Sequence, residues 1–157
     1  MNKNAVILFL TVLALFAART VLAEEVILEN TKAAFTFSID GKLAELKSVK
    51  NKETGFTFNI GSGGFWTVTV RNKTTGAKTN LTYQKAESLN HTLQDLGTTQ
   101  KLTLTWTNID IDATEKLDKV EVTVSLKDGE KLSAWRIGVE SSTDKYSVFE
   151  VIMPELN

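Results

Sequence analysis

Apolar and polar side chains alternate along the segment that begins at Phe35, and this alternation limits the fold more than any other feature of the sequence. Every second residue from Phe35 to Ile39 is apolar, which is the pattern of a β-strand with one buried face. Asp40-Gly41 follows at once, and Asp-Gly between two apolar runs is a strong signal for a two-residue hairpin turn of type I′. The segment therefore predicts an antiparallel hairpin whose second strand covers residues 43–49.

Similar strand-like runs, separated by turns rich in Asn, Asp and Gly, recur along the rest of the chain. The further predicted strands cover residues 26–28, 56–60, 65–71, 80–86, 91–96, 100–107, 119–127, 132–140 and 146–153. The turn sequence Asn-Lys-x-Thr-Gly occurs at 51–55 and again at 72–76, but it is too short to predict an internal repeat of the fold. Beyond the N-terminal segment no run keeps a 3.6-residue period, so the sequence predicts an all-β, antiparallel β-sandwich in one domain.

The N-terminal segment has the composition of a secretory signal. Lys3 precedes an apolar run over residues 5–18, and residues 21–23 place small or moderate side chains before a cleavage point. The run is shorter than the roughly 20 residues that cross a bilayer as a helix, which argues against the alternative of a retained membrane anchor. We therefore predict a cleaved signal helix at residues 1–23, a β-sandwich domain at residues 24–157, and a secreted or periplasmic protein.

Charge and cysteine content exclude several classes of partner and site. The chain has 18 Lys and Arg against 19 Asp and Glu, a formal net charge of −1 at pH 7. Because the charges are scattered, neither nucleic acid nor membrane is a predicted partner once the leader is removed. Without cysteine there is no disulfide, thiolate metal site or cysteine nucleophile. A disulfide-free secreted domain favours a bacterial envelope protein or an extracellular enzyme module.

Several short patterns occur in a fixed order along the chain. They are Leu28-Glu29-Asn30, Phe35-x-Phe-x-x-Asp-Gly-Lys-Leu-x-x-Leu, Asn51-Lys-x-Thr-Gly55, Phe65-Trp66-x-Val68, Leu102-x-Leu-x-Trp106, Trp135-x-Ile-x-Val139 and Phe149-x-Val-x-Met-Pro154. This order resembles the N-terminal β-sandwich domains, of the galactose-mutarotase-like type, that precede the catalytic barrel in many carbohydrate-active enzymes such as glycoside hydrolases. The resemblance covers residues 26–156 and implies a module whose motifs are structural rather than catalytic.

Two departures limit what this resemblance implies. Enzymatic mutarotases use histidines with a carboxylate base, whereas this chain has a single histidine, His91, so their chemistry is not carried over. The related multi-domain enzymes continue past the position that matches Pro154, whereas this chain stops at Asn157. We therefore expect a truncated or stand-alone relative of the first half of such a sandwich.

No constellation of residues predicts catalysis or a cofactor. His91 has polar neighbours and is predicted to be a solvated loop residue, and the sequence has no Gly-x-Ser-x-Gly nucleophile motif. Asn108, Asp110 and Asp112 alternate with isoleucines, so their oxygens could hold Ca²⁺ from one face of a strand. The spacing of a Ca²⁺-binding loop fails in the residues that follow, and a solvated polar face is the preferred interpretation. We predict no catalytic residue, no metal site and no cofactor.

Aromatic side chains are the candidates for contact with a sugar, because exposed rings pack against the apolar faces of pyranoses. Trp66, Trp106 and Trp135 each stand in phase with the apolar residues of their own strand and are predicted to be core. Phe65 falls on the opposite, polar-phased face, beside the glycine-rich segment 61–64. The predicted ligand-binding candidates are Phe65, Tyr83 and Tyr146.

These observations predict a secreted, non-catalytic β-sandwich module with a structural role beside a catalytic domain or an envelope protein, and with some contact to carbohydrate. Two alternatives from other classes remain open: a minimal sugar-active enzyme, either an epimerase or a hydrolase, and an adhesion or assembly module of the cell envelope. Sugar turnover by the purified protein would identify the first alternative, and a stable protein complex would identify the second.

Overall fold

The computed structural model describes residues 23–60 and 63–153, and these residues form eleven β-strands. The strands are β1 (Glu24–Glu29), β2 (Ala33–Asp40), β3 (Leu43–Asn51), β4 (Thr57–Asn59), β5 (Thr67–Asn72), β6 (Lys78–Thr82), β7 (Ser88–Asp95), β8 (Thr99–Asp110), β9 (Lys116–Lys127), β10 (Ala134–Glu140) and β11 (Tyr146–Ile152). Parts of three predictions lie outside the described residues: the signal helix over residues 1–22, the first half of the glycine-rich segment at 61–62, and the closing motif from Pro154 onward.

The strands form three antiparallel sheets. The strands β1 to β4 pair in chain order, β7 to β10 also pair in chain order, and the third sheet has the order β11-β5-β6. The predicted all-β class with antiparallel pairing is confirmed. Across the described ranges the only helical element is a 3₁₀ turn at Tyr83–Lys85, and no helix there is long and apolar enough to cross a membrane.

All three sheets contribute side chains to one apolar core. Trp106 and its in-phase neighbours in β8 are fully buried, because alternate side chains of this strand point inward. The Trp106 indole donates a hydrogen bond to the Lys42 carbonyl oxygen at 2.8 Å, which ties the β7–β10 sheet to the turn between β2 and β3. The prediction that the three tryptophans are core residues is confirmed, since Trp66 is also buried and Trp135, partly buried, packs on the same cluster.

The first hairpin is confirmed, but its turn lies one residue later than predicted. Asp40 pairs with Leu43 in the ladder, so the two loop residues are Gly41 and Lys42. Gly41 has a φ of 57°, and in the described ranges Asn108 is the only residue other than glycine with a positive φ. A positive φ at the first loop position alone matches a type II′ turn, which requires glycine at that position, rather than the predicted type I′.

The two Asn-Lys-x-Thr-Gly segments form the same turn. The Oδ1 atom of the asparagine accepts hydrogen bonds from the backbone N–H groups two and three residues ahead, at 3.0 and 3.2 Å for Asn51 and at 2.9 and 3.0 Å for Asn72. The glycine N–H then donates to the asparagine carbonyl oxygen, with a φ of 74° at Gly55 and 75° at Gly76. One short sequence thus specifies one turn, which joins β3 to β4 and β5 to β6.

Several strand boundaries differ from those that the pattern predicted. The strand predicted over 80–86 ends at Thr82, where the 3₁₀ turn begins, and the strand predicted over 65–71 begins only at Thr67. His91 lies within β7, so the prediction that it is a loop residue is wrong. Pairing decides this case, because β7 pairs with β8 along its whole length, from Ser88 onward.

Candidate functional site

Phe65, the first ligand candidate, is buried, so the prediction that its ring lies on an open face is wrong. The residue is 2% exposed, and its ring centroid lies 6.0 Å from that of Phe37 and 5.5 Å from that of Trp135. Phe65 and Trp66 are buried at consecutive positions, which a strand with one buried face does not allow, and both precede the start of β5. Phe65 is therefore a core residue and cannot serve as a stacking platform for a sugar.

Tyr146, another candidate, has its hydroxyl engaged in a cluster around Asp112. The Tyr146 hydroxyl donates to Asp112 Oδ2 at 2.9 Å, and Lys145 Nζ lies 2.8 Å from the same oxygen. Asp112 Oδ1 accepts hydrogen bonds from the backbone N–H groups of Thr114 and Glu115. These donors, with Lys145 foremost, hold the pKa of the Asp112 carboxyl well below its usual range. The cluster ties the turn between β8 and β9 to the start of β11, which gives Tyr146 a structural role.

Tyr83, the remaining candidate, forms one wall of a small cleft of about 170 Å³. The residue is half-buried and lies in the 3₁₀ turn that follows β6. We call this concavity the Tyr83 cleft. It is lined by Gly64, Trp66, Thr67, Thr82, Tyr83 and Gln84. None of these residues carries a charged side chain, so the cleft suits an uncharged polar ligand with an apolar face.

Gly64 brings the glycine-rich segment against the Tyr83 ring. A Cβ atom at position 64 would lie 2.8 Å from Cδ1 and 2.9 Å from Cε1 of Tyr83, which is closer than two carbon atoms approach without repulsion. The present position of the ring therefore requires a residue without a side chain at this point. Of the predicted ligand candidates, Tyr83 is the one that both borders this segment and remains partly accessible.

One buried donor that borders the Tyr83 cleft has no hydrogen-bond partner. Trp66 Nε1 is the only buried side-chain nitrogen or oxygen without one in the described part of the chain. By contrast, the Trp106 indole donates to the Lys42 carbonyl oxygen, and the Trp135 indole donates to Ser133 Oγ at 2.8 Å. Leaving a buried donor unpaired costs about 1–3 kcal/mol, so this part of the cleft lacks an acceptor.

The three predicted candidates do not form one site. Tyr146 pairs with Asn72 at one end of β5, whereas the Tyr83 cleft includes Thr67 at the other end of that strand. At about 3.4 Å per residue the two ends of β5 are about 17 Å apart. Phe65 is adjacent in sequence to the cleft residues but lies in the core beneath them. Only Tyr83 keeps its standing as a ligand candidate.

A second, more polar cleft lies where turns from the β1–β4 and β7–β10 sheets meet, and the sequence did not single it out. Its volume is about 360 Å³, and we call it the turn-end cleft. Residues from several turns line it, among them Asn30, Lys52, Asp95, Thr98 and Asp128. Each turn was visible in the sequence as a cluster of Asn, Asp and Gly, but a strand pattern does not show which turns come together.

Most of the strong polar contacts at the turn-end cleft join protein groups to one another. Asn30 Nδ2 donates to the carbonyl oxygens of Lys127 at 2.6 Å and Glu130 at 2.7 Å. Lys52 Nζ donates to the Asn30 carbonyl oxygen at 2.7 Å and lies 2.8 Å from Glu29 Oε2. These bonds connect turns that are far apart in sequence, so we interpret the turn-end cleft as a tie between two sheets.

Glu53 forms another such tie near these turns. Its Oε2 atom lies 2.5 Å from Lys131 Nζ, and its Oε1 atom contacts Lys32. The hydrogen bonds from Lys131 and Lys32 lower the pKa of the Glu53 carboxyl from its ordinary 4.5 to about 2. One carboxylate thus connects the turn after β3 to the turn after β1 and to the loop after β9.

The acidic residues that could have formed a Ca²⁺ site have separate partners. Asp110 faces Lys116 at 3.3 Å, Asn108 donates to Glu87 at 2.9 Å, and Asp112 belongs to the cluster around Tyr146. Asn108 and Asp110 are exposed, as the preferred interpretation of a solvated face expects. In the residues that the structure describes, no group of three or more His, Asp or Glu side chains is placed to hold a metal ion.

His91 lies apart from both clefts. Its side chain is 25% exposed, and its Nε2 atom lies 3.4 Å from Glu24 Oε1. Each residue belongs to a strand at the edge of its sheet, β7 for His91 and β1 for Glu24. Neither residue lines the Tyr83 cleft or the turn-end cleft.

The edge strand β11 presents an apolar surface to solvent. Its exposed apolar side chains, between 37% and 49% accessible, are Val148, Phe149, Val151 and Ile152, and we call them the β11 face. Val148 and Val151 pair with Val70 and Val68 of β5, both of which are fully buried. The burial of the β11-β5-β6 sheet therefore stops abruptly at its outer strand, and the pairing register shifts at Phe149.

Basic side chains surround the β11 face. Lys78 Nζ lies 3.6 Å from the centroid of the Phe149 ring, Arg71 is opposite Ser147 in the ladder, and the Lys73 N–H bonds to the Lys145 carbonyl oxygen. Among the ion pairs of the described residues, none includes Arg71, Lys73 or Lys78. The surface around the apolar strip is therefore positively charged.

Comparison of the chain with protein-family models, with curated proteins and with solved structures finds no match. The function therefore has to follow from two surfaces. The β11 face offers apolar side chains and an open strand edge with a basic border. The Tyr83 cleft offers an aromatic wall, uncharged polar groups and a buried donor without a partner.

Proposed function

We propose that this protein is a secreted, non-catalytic β-sandwich module that packs beside a partner domain through the β11 face. The supporting observation is that four apolar side chains are exposed on an edge strand whose neighbour in the sheet is fully buried. Edge strands that stay solvated are usually protected by charges or proline, whereas β11 carries only Glu150 as a charged residue. The proposed role is similar to that of the N-terminal sandwich domains that the sequence resembles.

The chemistry of the β11 face also describes the partner. An added strand would complete backbone hydrogen bonds along the open edge, while alternate apolar side chains would cover the exposed valines. Carboxylates next to that strand would complement Arg71, Lys73 and Lys78. We therefore propose that the partner presents an extended, apolar strand flanked by Asp or Glu.

The packing role is tested by isolating the protein with its partner from its native compartment. Val151→Lys places a charge in the β11 face and is expected to abolish the complex. Ile27→Lys is the matched control, because Ile27 is 47% exposed on the edge strand β1, and this variant is expected to keep the complex. Hydrogen exchange should show slowed amides in β11 when the partner is bound. A monomeric wild-type protein, or equal loss in both variants, would contradict the proposal.

Contact with carbohydrate at the Tyr83 cleft is the second candidate function. It is favoured by the half-buried Tyr83 ring, which stands beside the hydroxyl groups of Thr67 and Thr82 and the amide of Gln84. Sugar sites combine an aromatic surface for the apolar face of the ring with a few polar groups for the hydroxyls. The three other large concavities differ in character, and the Tyr83 cleft is the one that includes a predicted ligand residue.

Carbohydrate contact is tested on a glycan array with the purified protein. Tyr83→Ala removes the aromatic wall and is expected to abolish retention on the glycans that the wild type binds. Phe56→Ala is the control, because Phe56 is an aromatic residue 58% exposed at a different place on the surface. A protein that binds no glycan, or a Tyr83→Ala variant that binds as the wild type does, would reject this function and leave the packing role unaffected.

The alternative of a minimal sugar-active enzyme gains no support from the described residues. General acid–base chemistry requires titratable groups beside a bound substrate, and His91 with Glu24 lies outside both clefts. The Tyr83 cleft itself contains no carboxylate or imidazole. We therefore expect the purified protein to leave the sugars it binds chemically unchanged.

A further inference from the structure

We propose that the Tyr83 cleft binds one uncharged pyranose ring and that the indole N–H of Trp66 donates a hydrogen bond to an oxygen of that ring. This inference rests on the carbohydrate contact proposed above. It adds the class of sugar and the buried group that recognises it.

The three tryptophans provide an internal comparison. The indoles of Trp106 and Trp135 both donate to protein oxygens at 2.8 Å. Trp66 is as deeply buried as Trp106, yet its Nε1 atom has no partner among the described residues. Buried donors are almost always paired, and an exception requires its own explanation. Because Trp66 also borders a cleft, an acceptor that arrives with a ligand explains the exception.

The walls of the cleft fit an uncharged sugar. Thr67 and Thr82 stand opposite each other in the β5–β6 ladder, so their hydroxyl groups are available at the same end of the two strands. The Tyr83 ring supplies an aromatic surface, held in place by its close approach to Gly64. A charged sugar would lose hydration here without gaining an ion pair, and a cleft of about 170 Å³ has room for a single ring.

The inference is tested by nuclear magnetic resonance on the purified protein labelled with nitrogen-15. Three neutral probes are titrated separately: methyl β-glucoside, methyl β-galactoside and N-acetylglucosamine. At least one probe is expected to shift the indole resonance of Trp66, which the Trp66→Phe variant assigns by its disappearance. The indole resonances of Trp106 and Trp135 should stay in place. If none of the three probes shifts the Trp66 resonance, the inference is overturned.

The variant Trp66→Phe then separates the donor from the cleft. It keeps an aromatic side chain and removes the N–H, so binding of the active probe is expected to weaken about fivefold, the effect of one lost neutral hydrogen bond. Trp106→Phe, whose indole is bonded within the protein, should bind that probe as the wild type does. If Tyr83→Ala loses glycan binding while Trp66→Phe retains it in full, the carbohydrate function stands and the role of Trp66 is wrong.

Discussion

Trp66 and Trp106 are two buried tryptophans that differ in the partner of one N–H group. Their rings pack edge to face with centroids 5.7 Å apart, but only the Trp106 indole is bonded within the protein, to the Lys42 carbonyl oxygen. Trp106→Phe removes this bond and some ring volume, so we expect the free energy of unfolding to fall by about 2–4 kcal/mol. Trp66→Phe loses similar volume and no protein hydrogen bond, so its loss should be smaller. Denaturant titrations compare the two, and equal losses would contradict this account.

Gly64 provides a second test at the scale of one residue. Gly64→Ala places a methyl group 2.8 Å from Tyr83 Cδ1, so the ring has to move and glycan binding at the Tyr83 cleft is expected to decrease. Gly138→Ala is the matched control, because a Cβ atom there meets nothing within 4 Å. Glycan-array binding and thermal unfolding measure both variants. Unchanged binding by Gly64→Ala would mean that the position of the Tyr83 ring does not matter for the ligand.

Phe65 shows why the candidate site was only partly predictable. The alternating pattern of β5 was extended backwards by two residues, which placed Phe65 opposite Trp66. In the structure both side chains enter the core, because the chain has not yet joined the ladder that imposes alternation. The presence of Tyr83 beside the glycine-rich segment was open to prediction. The unpaired indole of Trp66 was not, since the partner of a buried donor depends on residues distant in sequence.

At the scale of elements, the Asn-Lys-x-Thr-Gly turns are stabilised by the side chain of their asparagine. Asn72 is buried and accepts two backbone N–H groups, and Asn51 makes the same two bonds in a more exposed turn. Asn72→Ala is expected to lower the free energy of unfolding by about 1–3 kcal/mol, and Asn51→Ala by less, because water can replace the lost acceptor where the turn is solvated. Denaturant titrations test the order, and a larger loss for Asn51→Ala would contradict it.

Glu53 makes the stability of the fold depend on pH through three connected turns. Lys131 and Lys32 lower its pKa from 4.5 to about 2, so the folded state holds this carboxylate ionised more strongly than the unfolded state does. The contribution to stability is therefore complete above pH 4.5 and is lost as the pH falls from 4.5 towards 2. Glu53→Gln should make the melting temperature fall less steeply across this window.

Two lysine variants test the origin of this pH dependence. Lys131→Met removes the hydrogen bond that lowers the Glu53 pKa most, and it is expected to reduce the steepness in the same way as Glu53→Gln. Lys127→Met is the control, since Lys127 is a neighbouring lysine that faces Glu130 at 3.8 Å instead. Melting temperatures measured from neutral pH down to pH 2 distinguish the three proteins. An equal effect of both lysine variants would assign the pH dependence to net charge rather than to Glu53.

The elements themselves were largely predictable, and their boundaries were not. Period-two alternation located β8 and β9 because each has one face in the core and the other in solvent. The first turn was misplaced by one residue, because both Asp40-Gly41 and Gly41-Lys42 satisfy the preference for glycine in a two-residue turn. Only the pairing of Asp40 with Leu43 decides between them. Contacts across long loops, such as those of Asn30 at the turn-end cleft, have no signature in a local pattern.

At the scale of the whole molecule, burial is distributed unevenly among the three sheets. The strands β8 and β9 are central in their sheet, and their inward side chains are fully buried. The strand β4 has three residues, all exposed, and most of β11 is exposed as well. Cooperative opening should therefore begin at β4 and β11 and should reach β8 and β9 only when the molecule unfolds globally.

Native-state hydrogen exchange of the protein without its partner tests this distribution. We expect backbone amides of β8 and β9 to exchange with the free energy of global unfolding, and amides of β11 to exchange faster by at least tenfold, a difference of about 1.4 kcal/mol. Binding of the proposed partner strand should raise protection in β11 and leave β4 unchanged, because only β11 combines an open edge with exposed apolar side chains and a basic border. If β11 in the free protein is already as protected as β8, its edge is stable without a partner, and the packing role of the β11 face loses its physical basis.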